Sequence, residues 1–487
     1  MTCKALALAL TIALAAPLAN AQPVGLPSMG SASSADLSPS LEQKLGDAIM
    51  EQGRRDPTYI NDADVSQYLL ELGRRLTQAS AGADVTVFGV RDPNINAFAL
   101  PGGYIGINSG LVVTSDHEDE LASVIAHEIG HIYQRHVARG MTQQTQSRNV
   151  ALASLAGALL AALAGNGNLA MGVASFGQAA AIDQQLGFSR QAEQEADRVG
   201  LEMLRRAGFD PEGMVDMFEK LGNASRLNEG AGTGAYTSTH PLTIQRMSDV
   251  KNRISNLPGG GNYRPDSNTF WFVRAKLRLL QSRDSLSLRN AEAIFRQETD
   301  NKGVKAAAAW YGLALLAQQR GELPNARSAL EKAKSQGIAA PQLAELDAQL
   351  ALDQKDTAQA LALSRQAWQR WPENQGLGLV RVQAELRGGQ PDQAAQVLNQ
   401  LIRRWPEEPR FYQLQAQSLE AQGKPVKARL SMATYYEKMG ALRTAVEQLQ
   451  QARGLSKDFY EQSEIDVRIR SLQEEVRLNR ELLEQFK

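Results

Sequence analysis

Cysteine is almost missing from this chain. A single one, Cys3, stands among 487 residues, so neither a disulfide framework nor a thiolate metal site can be built. Aromatic residues make up only 6%, too few for a platform that stacks bases or sugars. Charge of one sign is lacking too: 52 Lys and Arg stand against 53 Asp and Glu, a net of −1. That excludes a bulk attraction to nucleic acid, and no nucleic-acid partner is expected. The apolar runs at 5–16, 150–163 and 170–182 are each too short to span a bilayer comfortably. What is present is ordinary globular composition, 43% apolar and 22% charged, rich in Ala and Leu. The length exceeds what one core fills, so more than one domain is expected, mainly helical.

The first residues read as an address label. Lys4 precedes the 5–16 run, and Ala19-Asn20-Ala21 fits a cleavage site, so 1–21 is expected to be a signal peptide. The alternative is an uncleaved N-terminal anchor. Cleavage would remove Cys3, leaving any metal to His, Asp or Glu, and would put the protein in a bacterial periplasm. Residues 22–40, rich in Ser, Pro and Gly, read as a flexible leader.

A mixed domain is expected over 41–256, a linker over 257–265 and a repeat domain over 266–487. Helical spacing runs from Leu41 to Ile49 and from Val65 to Leu76. Asp84 to Val90 alternates like a strand, and two short strands flank Pro101-Gly102-Gly103 as a hairpin. Ser115-Asp116-His117-Glu118 matches a capping box that opens the next helix. Beyond the linker, Ala326, Ala360, Ala394 and Ala428 recur every 34 residues. Gly321, Gly389 and Gly423 keep that period, with Lys355 where the fourth glycine is missing. Ala314, Ala348, Val382 and Ala416 mark a second small position per unit. The period resembles tetratricopeptide repeats, with about four clear units and less regular ends.

The capped helix carries His127-Glu128-Ile129-Gly130-His131. Residues four apart share a helix face, so both imidazoles can meet one ion while Glu128 reaches its water. A solvated face with two histidines is the competing reading. A catalytic zinc needs a third protein ligand and an open position. Glu193 and Asp197, four apart on a later helix that ends at Gly208, are the candidates. Glu193 could ligate the metal, and Asp197 could accept a hydrogen bond from a ligating histidine. Glu195 points off that face and reads as a solvated charge, as does His136, five residues past the second histidine. His117 reads as structural.

This combination resembles the zinc peptidase family that includes the CAAX prenyl proteases and HtpX-like proteases. Residues 96–103 and Ser238-Thr239-His240-Pro241 also match a subgroup of it. The resemblance covers nearly the whole mature chain. It implies a mainly α protein: an α+β zincin-like metallopeptidase domain with a small β-hairpin or sheet, then an α-solenoid of tetratricopeptide-like repeats. It implies one Zn²⁺ per chain held by His127, His131 and Glu193. Glu128 would act as general base, and His240 would either hydrogen-bond the oxyanion or cap the metal at rest.

The implied activity is a zinc endopeptidase with chaperone-like character, acting on unfolded or stalled outer-membrane proteins. The repeats would meet the outer-membrane beta-barrel assembly complex. The alternative is a non-proteolytic repeat scaffold or chaperone bound to that machinery. The hairpin at Phe98, Ala99, Leu100, Gly102 and Gly103 is either a strand edge that holds an extended peptide or an ordinary core hairpin. The stretch 150–182 is either two buried helices or a lid, with possible peripheral membrane contact.

Overall fold

A computed structural model describes residues 38–80, 85–136, 139, 189–227, 236, 240–257 and 263–484. The expected signal peptide, the 150–182 stretch and the glycines of the linker lie outside the described residues. Helix α1 (Pro39–Gly53) starts inside the expected leader, and α2 (Ala63–Gln78) follows, N-capped by Asp62. Strands β1 (Thr86–Val90), β2 (Ala97–Leu100) and β3 (Tyr104–Asn108) form a sheet of order β1-β3-β2. β3 is central, parallel to β1 and antiparallel to β2.

The hairpin turns through Pro101-Gly102-Gly103, where Gly102 and Gly103 take φ of +77° and +79°. Helix α1 lies against this turn. A Cβ on Gly46 would sit 2.0 Å from the Pro101 carbonyl oxygen, and Tyr104 Oη donates to Asp47 at 2.8 Å.

After the short α3 (Ser109–Thr114) comes α4 (Glu118–Tyr133), which carries the paired histidines. Its expected capping box does not form. Ser115 Oγ donates back to the Leu111 carbonyl, and His117 at the N-cap makes no side-chain cap. The Glu118 N–H is instead accepted by Asp266 at 2.8 Å, from far along the chain. Glu118 itself is buried and accepts from Tyr68 and Ser267. A buried carboxylate needs donors, and Tyr68 and Ser267 provide them better than a neighbour's backbone would. The cap is therefore tertiary, and His117 stays exposed beside Asp266.

Helix α5 (Arg190–Ala207) is capped by Ser189 and ends on left-handed Gly208, as its sequence implies. Helices α6 (Glu212–Leu227) and α7 (Ile244–Ser255) complete this part. Helices α4 and α5 cross through small residues. A Cβ on Gly130 would stand 2.9 Å from the Ala196 carbonyl oxygen, and one on Gly200 would stand 3.0 Å from the His127 nitrogen.

The repeat array begins with α8 (Asn268–Gln281) and α9 (Ser285–Glu298). Four pairs follow: α10 (Val304–Gln319) with α11 (Leu323–Lys334), α12 (Pro341–Asp353) with α13 (Thr357–Arg370), α14 (Gln375–Arg387) with α15 (Pro391–Arg404), and α16 (Pro409–Ala421) with α17 (Pro425–Lys438). Helices α18 (Leu442–Leu455) and α19 (Phe459–Glu484) close it.

The residues at the 34-residue period do what their size implies. Ala326, Ala360, Ala394 and Ala428 are all buried where helices touch. Gly321, Lys355, Gly389 and Gly423 each end the first helix of a pair with φ between +63° and +76°. The following N–H reaches back to the helix each time, as Asp356 does to Ala351 at 2.9 Å.

The first repeat helices share an interior with the segments before them. A single apolar cluster runs from α2, the sheet and α4 to α6 through Phe270, Phe272 and Tyr311 to Leu350. Lys276 of α8 donates to Asp64 at 2.6 Å and Asp62 at 3.2 Å. Gln67 of α2 exchanges hydrogen bonds with the Glu373 carbonyl and the Gln375 N–H, and Arg74 lies over the Trp405 ring.

Lys355 holds a conformation that costs a residue with a Cβ about 1 kcal/mol. Lys355→Gly is therefore expected to raise the unfolding free energy by about that amount, and Gly389→Ala to lower it similarly. Denaturant unfolding midpoints of the two variants check this.

Candidate metal centre

The two histidines of α4 project toward α5 at the glycine crossing, and both are buried. Their Nε2 atoms point at each other, 2.9 Å apart. Glu193 enters from the first turn of α5, with its carboxylate oxygens 3.5 Å from His127 Nε2 and 3.4 Å from His131 Nε2. His240 arrives from the chain before α7, its Nδ1 3.0 Å from Glu193 Oε1. One ligand atom from each of His127, His131, Glu193 and His240 lies within 4.8 Å of all the others. Glu128 is fully buried beside them, with His240 Nε2 3.6 Å from its Oε1. Its Oε2 has no hydrogen-bond partner.

The outward-facing atoms are fixed as well. Asp197 Oδ1 lies 2.9 Å from His127 Nδ1. Asp197 is gripped by both arms of the Arg246 guanidinium, at 2.7 Å each. The third nitrogen of Arg246 lies 2.6 Å from Glu193 Oε2 as an ion pair without hydrogen-bond alignment. The guanidinium also sits over Phe218. Tyr236 stacks on His240 with ring centroids 4.6 Å apart, and its hydroxyl donates to Glu128 Oε1 at 3.4 Å.

Electrostatics follow from burial and these contacts. Burial alone would push Glu193 up, but His240, His127 and His131 hold it well below the usual carboxylate range. Burial likewise opposes ionisation of Asp197, and Arg246 and His127 overcome it. Desolvation drives His131 well below the ordinary histidine value, so it is the neutral imidazole that a metal requires. His127 resists the same desolvation through Asp197 and Glu193 and is pushed up to about 9. The three carboxylates of Glu128, Glu193 and Asp197 share this dry space with one guanidinium, Arg246. Acidic side chains outnumber cationic ones in this buried space even with His127 protonated, which favours an added cation. Two imidazoles and a carboxylate match the donor chemistry of zinc.

Peptidase family M48 matches residues 60–254, and two tetratricopeptide repeat models match 283–344 and 351–418. The chain is 31% identical to the beta-barrel assembly-enhancing protease of Escherichia coli (strain K12), over 98% of its own length and 96% of that protein's.

The chain belongs to the beta-barrel assembly-enhancing protease family.

A Yersinia pestis member is also 31% identical, over 92% of this chain and 91% of that one. The mitochondrial metalloendopeptidase OMA1 of Arabidopsis thaliana is 37% identical, over 34% of this chain and 30% of that protein. As a member of this family the chain is a metalloendopeptidase with tetratricopeptide repeats, and its buried histidine and glutamate group could hold the metal.

Two expectations are corrected. His136 is buried, 3% exposed, rather than solvated. The helical projection fails because α4 has already ended: Arg135 takes φ of +51° and turns the chain back under His131. Glu195 is buried too, paired with His136 and Arg139 rather than with water.

The hairpin expected to hold substrate sits beside α4, which packs along β2. The side chains of Phe98, Ala99 and Leu100 are buried, and Gly102 faces Gln43 of α1. Arg246 and Tyr236 escaped the sequence reading. Arg246 lies six residues after His240 in no motif of its own, although its helix register was open to inspection.

The α4–α5 contact admits no extra atom at Gly130. Gly130→Ala is expected to force the helices apart at an overpacking cost of about 1–3 kcal/mol. Metal affinity, read with Zn²⁺ as the probe, should weaken about tenfold or more although all four side chains of the cluster remain. Competition with a chromogenic chelator measures this.

Proposed function

We propose that this protein is a zinc-dependent endopeptidase of the periplasm that degrades misfolded or stalled outer-membrane proteins and assists their assembly. The observation that carries the reading is the enclosed cluster of His127, His131, Glu193 and His240, with Glu128 buried beside it. The signal-peptide pattern at 1–21 supports export, and the names of the relatives support the substrate class. The peptidase part is taken as 41–256 and the repeat part as 266–487, joined by 257–265.

In this reading His127, His131 and Glu193 are the protein ligands. A zinc ion there supplies Lewis acidity that activates water and polarises the scissile carbonyl. Glu128 is the general base: it accepts the proton of the attacking water and returns it to the departing amine. Tyr236 aims the Glu128 carboxylate through its hydroxyl. Asp197, itself clamped by Arg246, holds His127 with Nε2 turned inward.

A catalytic site keeps one coordination position open, and His240 lies close enough to fill it. Of its two candidate roles, the geometry favours the resting cap: His240 sits against Glu193 and must swing out for substrate to enter. β2 pairs on one side only among the described residues, so its other edge can receive an extended peptide by main-chain hydrogen bonds. That mode reads backbone rather than sequence and suits unfolded substrates of many kinds.

The repeats are read as the part that meets the outer-membrane assembly complex. Helix α2 already occupies part of their surface, through Gln67 and Arg74. Partners therefore dock elsewhere on the array, and Phe459 and Tyr460 at the start of α19 are exposed aromatics there.

Glu128→Gln is expected to keep stoichiometric zinc while losing about 10²–10⁴-fold in cleavage of an unfolded protein. Elemental analysis and a gel-based proteolysis assay decide it, and full activity in this variant would sink the mechanism. His240→Ala is expected to raise basal cleavage several-fold, because the cap is gone. A drop in rate would assign His240 to the oxyanion instead.

A further inference from the structure

His131 is held from behind by a chain of side chains that starts beyond the zinc-binding motif. Its Nδ1 lies 3.0 Å from His136 Nδ1. His136 Nε2 lies 3.1 Å from Glu195 Oε2. Glu195 Oε2 also accepts from Arg139 at 2.8 Å, and its Oε1 accepts from Gln191 at 3.1 Å. His136 is 3% exposed and Glu195 8%.

Proton positions along this chain run one way. If His131 presents Nε2 to the ion, a neutral ring carries its proton on Nδ1 and donates it to His136. His136 Nδ1 is then the acceptor, so its own proton sits on Nε2 and goes to Glu195. Arg139 fixes the carboxylate that ends the series. Each member has one allowed tautomer or rotamer once the ion is chosen.

The geometry of α5 explains why an imidazole is interposed. Glu193 points at the metal, and Asp197, four residues on, reaches His127 directly. Glu195, two residues from each, projects about 200° around the helix from Glu193. Its carboxylate cannot touch His131 without a spacer, and His136 is that spacer. The chain accepts a left-handed Arg135 to put it there.

We propose that His136 is a positioning residue that fixes the tautomer and ring plane of His131, with Glu195 and Arg139 anchoring it. The proposal rests on the zinc reading above. It makes the outer support of the two ligating histidines unequal: a direct carboxylate behind His127, a relayed one behind His131.

The test uses the full chain, with Zn²⁺ affinity from chelator competition, the visible spectrum of the Co²⁺-substituted protein, and unfolding of the metal-free form as control. His136→Ala is expected to weaken Zn²⁺ binding about 10–100-fold and alter the Co²⁺ spectrum. His136→Asn, whose Oδ1 replaces the Nδ1 acceptor, is expected to recover most of that loss. Glu195→Ala, which leaves the imidazole in place, is expected to lose about tenfold.

Wild-type affinity in either alanine variant overturns the proposal. Equal loss in His136→Ala and His136→Asn also overturns it, since only packing would then be at stake. A wild-type chain that takes up no Zn²⁺ refutes the zinc reading itself, an outcome distinct from these.

Discussion

The chemistry of this protein depends on how closely two helices can approach. Helices α4 and α5 touch through Gly130, Ala196 and Gly200, with no room for one more carbon. At that spacing a carboxylate from the first turn of α5 falls between two imidazoles of α4. The side chains are buried, so charges that would be trivial at the surface govern one another. The site is thus a packing feature first and an electrostatic one second. Helix approach brings these side chains together, and burial makes their charges matter.

Helix α5 acts as a ruler laid along α4. Glu193, Glu195 and Asp197 occupy alternate positions, and each meets a different neighbour. Glu193 meets His127 and His131 directly, Asp197 backs His127, and Glu195 backs His131 through His136. Arg246 joins Glu193 and Asp197 from α7. Three acidic residues within five positions would repel one another on an exposed helix. Here each has its own cationic or imidazole partner, which lets them be buried together.

The repeat array is part of this arrangement rather than an appendage to it. Asp266, just ahead of α8, caps the metal helix, and Glu118 in the first turn of that helix is held by Ser267. Phe270 and Phe272 fill the same interior as the sheet and α4. Helix α2 is tied to α8 through Lys276 and to the α13–α14 corner through Gln67. A displacement of the repeats would reach the start of α4 through these hydrogen bonds.

Much of this was written in local pattern. The i, i+4 histidines, the later Glu193 and Asp197, the glycine turn of the hairpin, the Ser189 cap and the Gly208 stop all depend on neighbours in sequence, and so did the 34-residue period down to the left-handed Lys355. Such features are decided by backbone geometry and by one helix face at a time, which a linear reading can follow. What it could not follow were contacts between distant segments. Whether Ser115 or Asp266 caps α4, whether His136 faces water or His131, and whether Arg246 belongs to a site at all were settled only when helices packed. Helical projection placed His136 in solvent because it assumed a helix that in fact stops at Tyr133. Burial and partner choice are properties of the assembled interior, where the energy of a charge depends on everything within a few ångströms and not on its place in the chain.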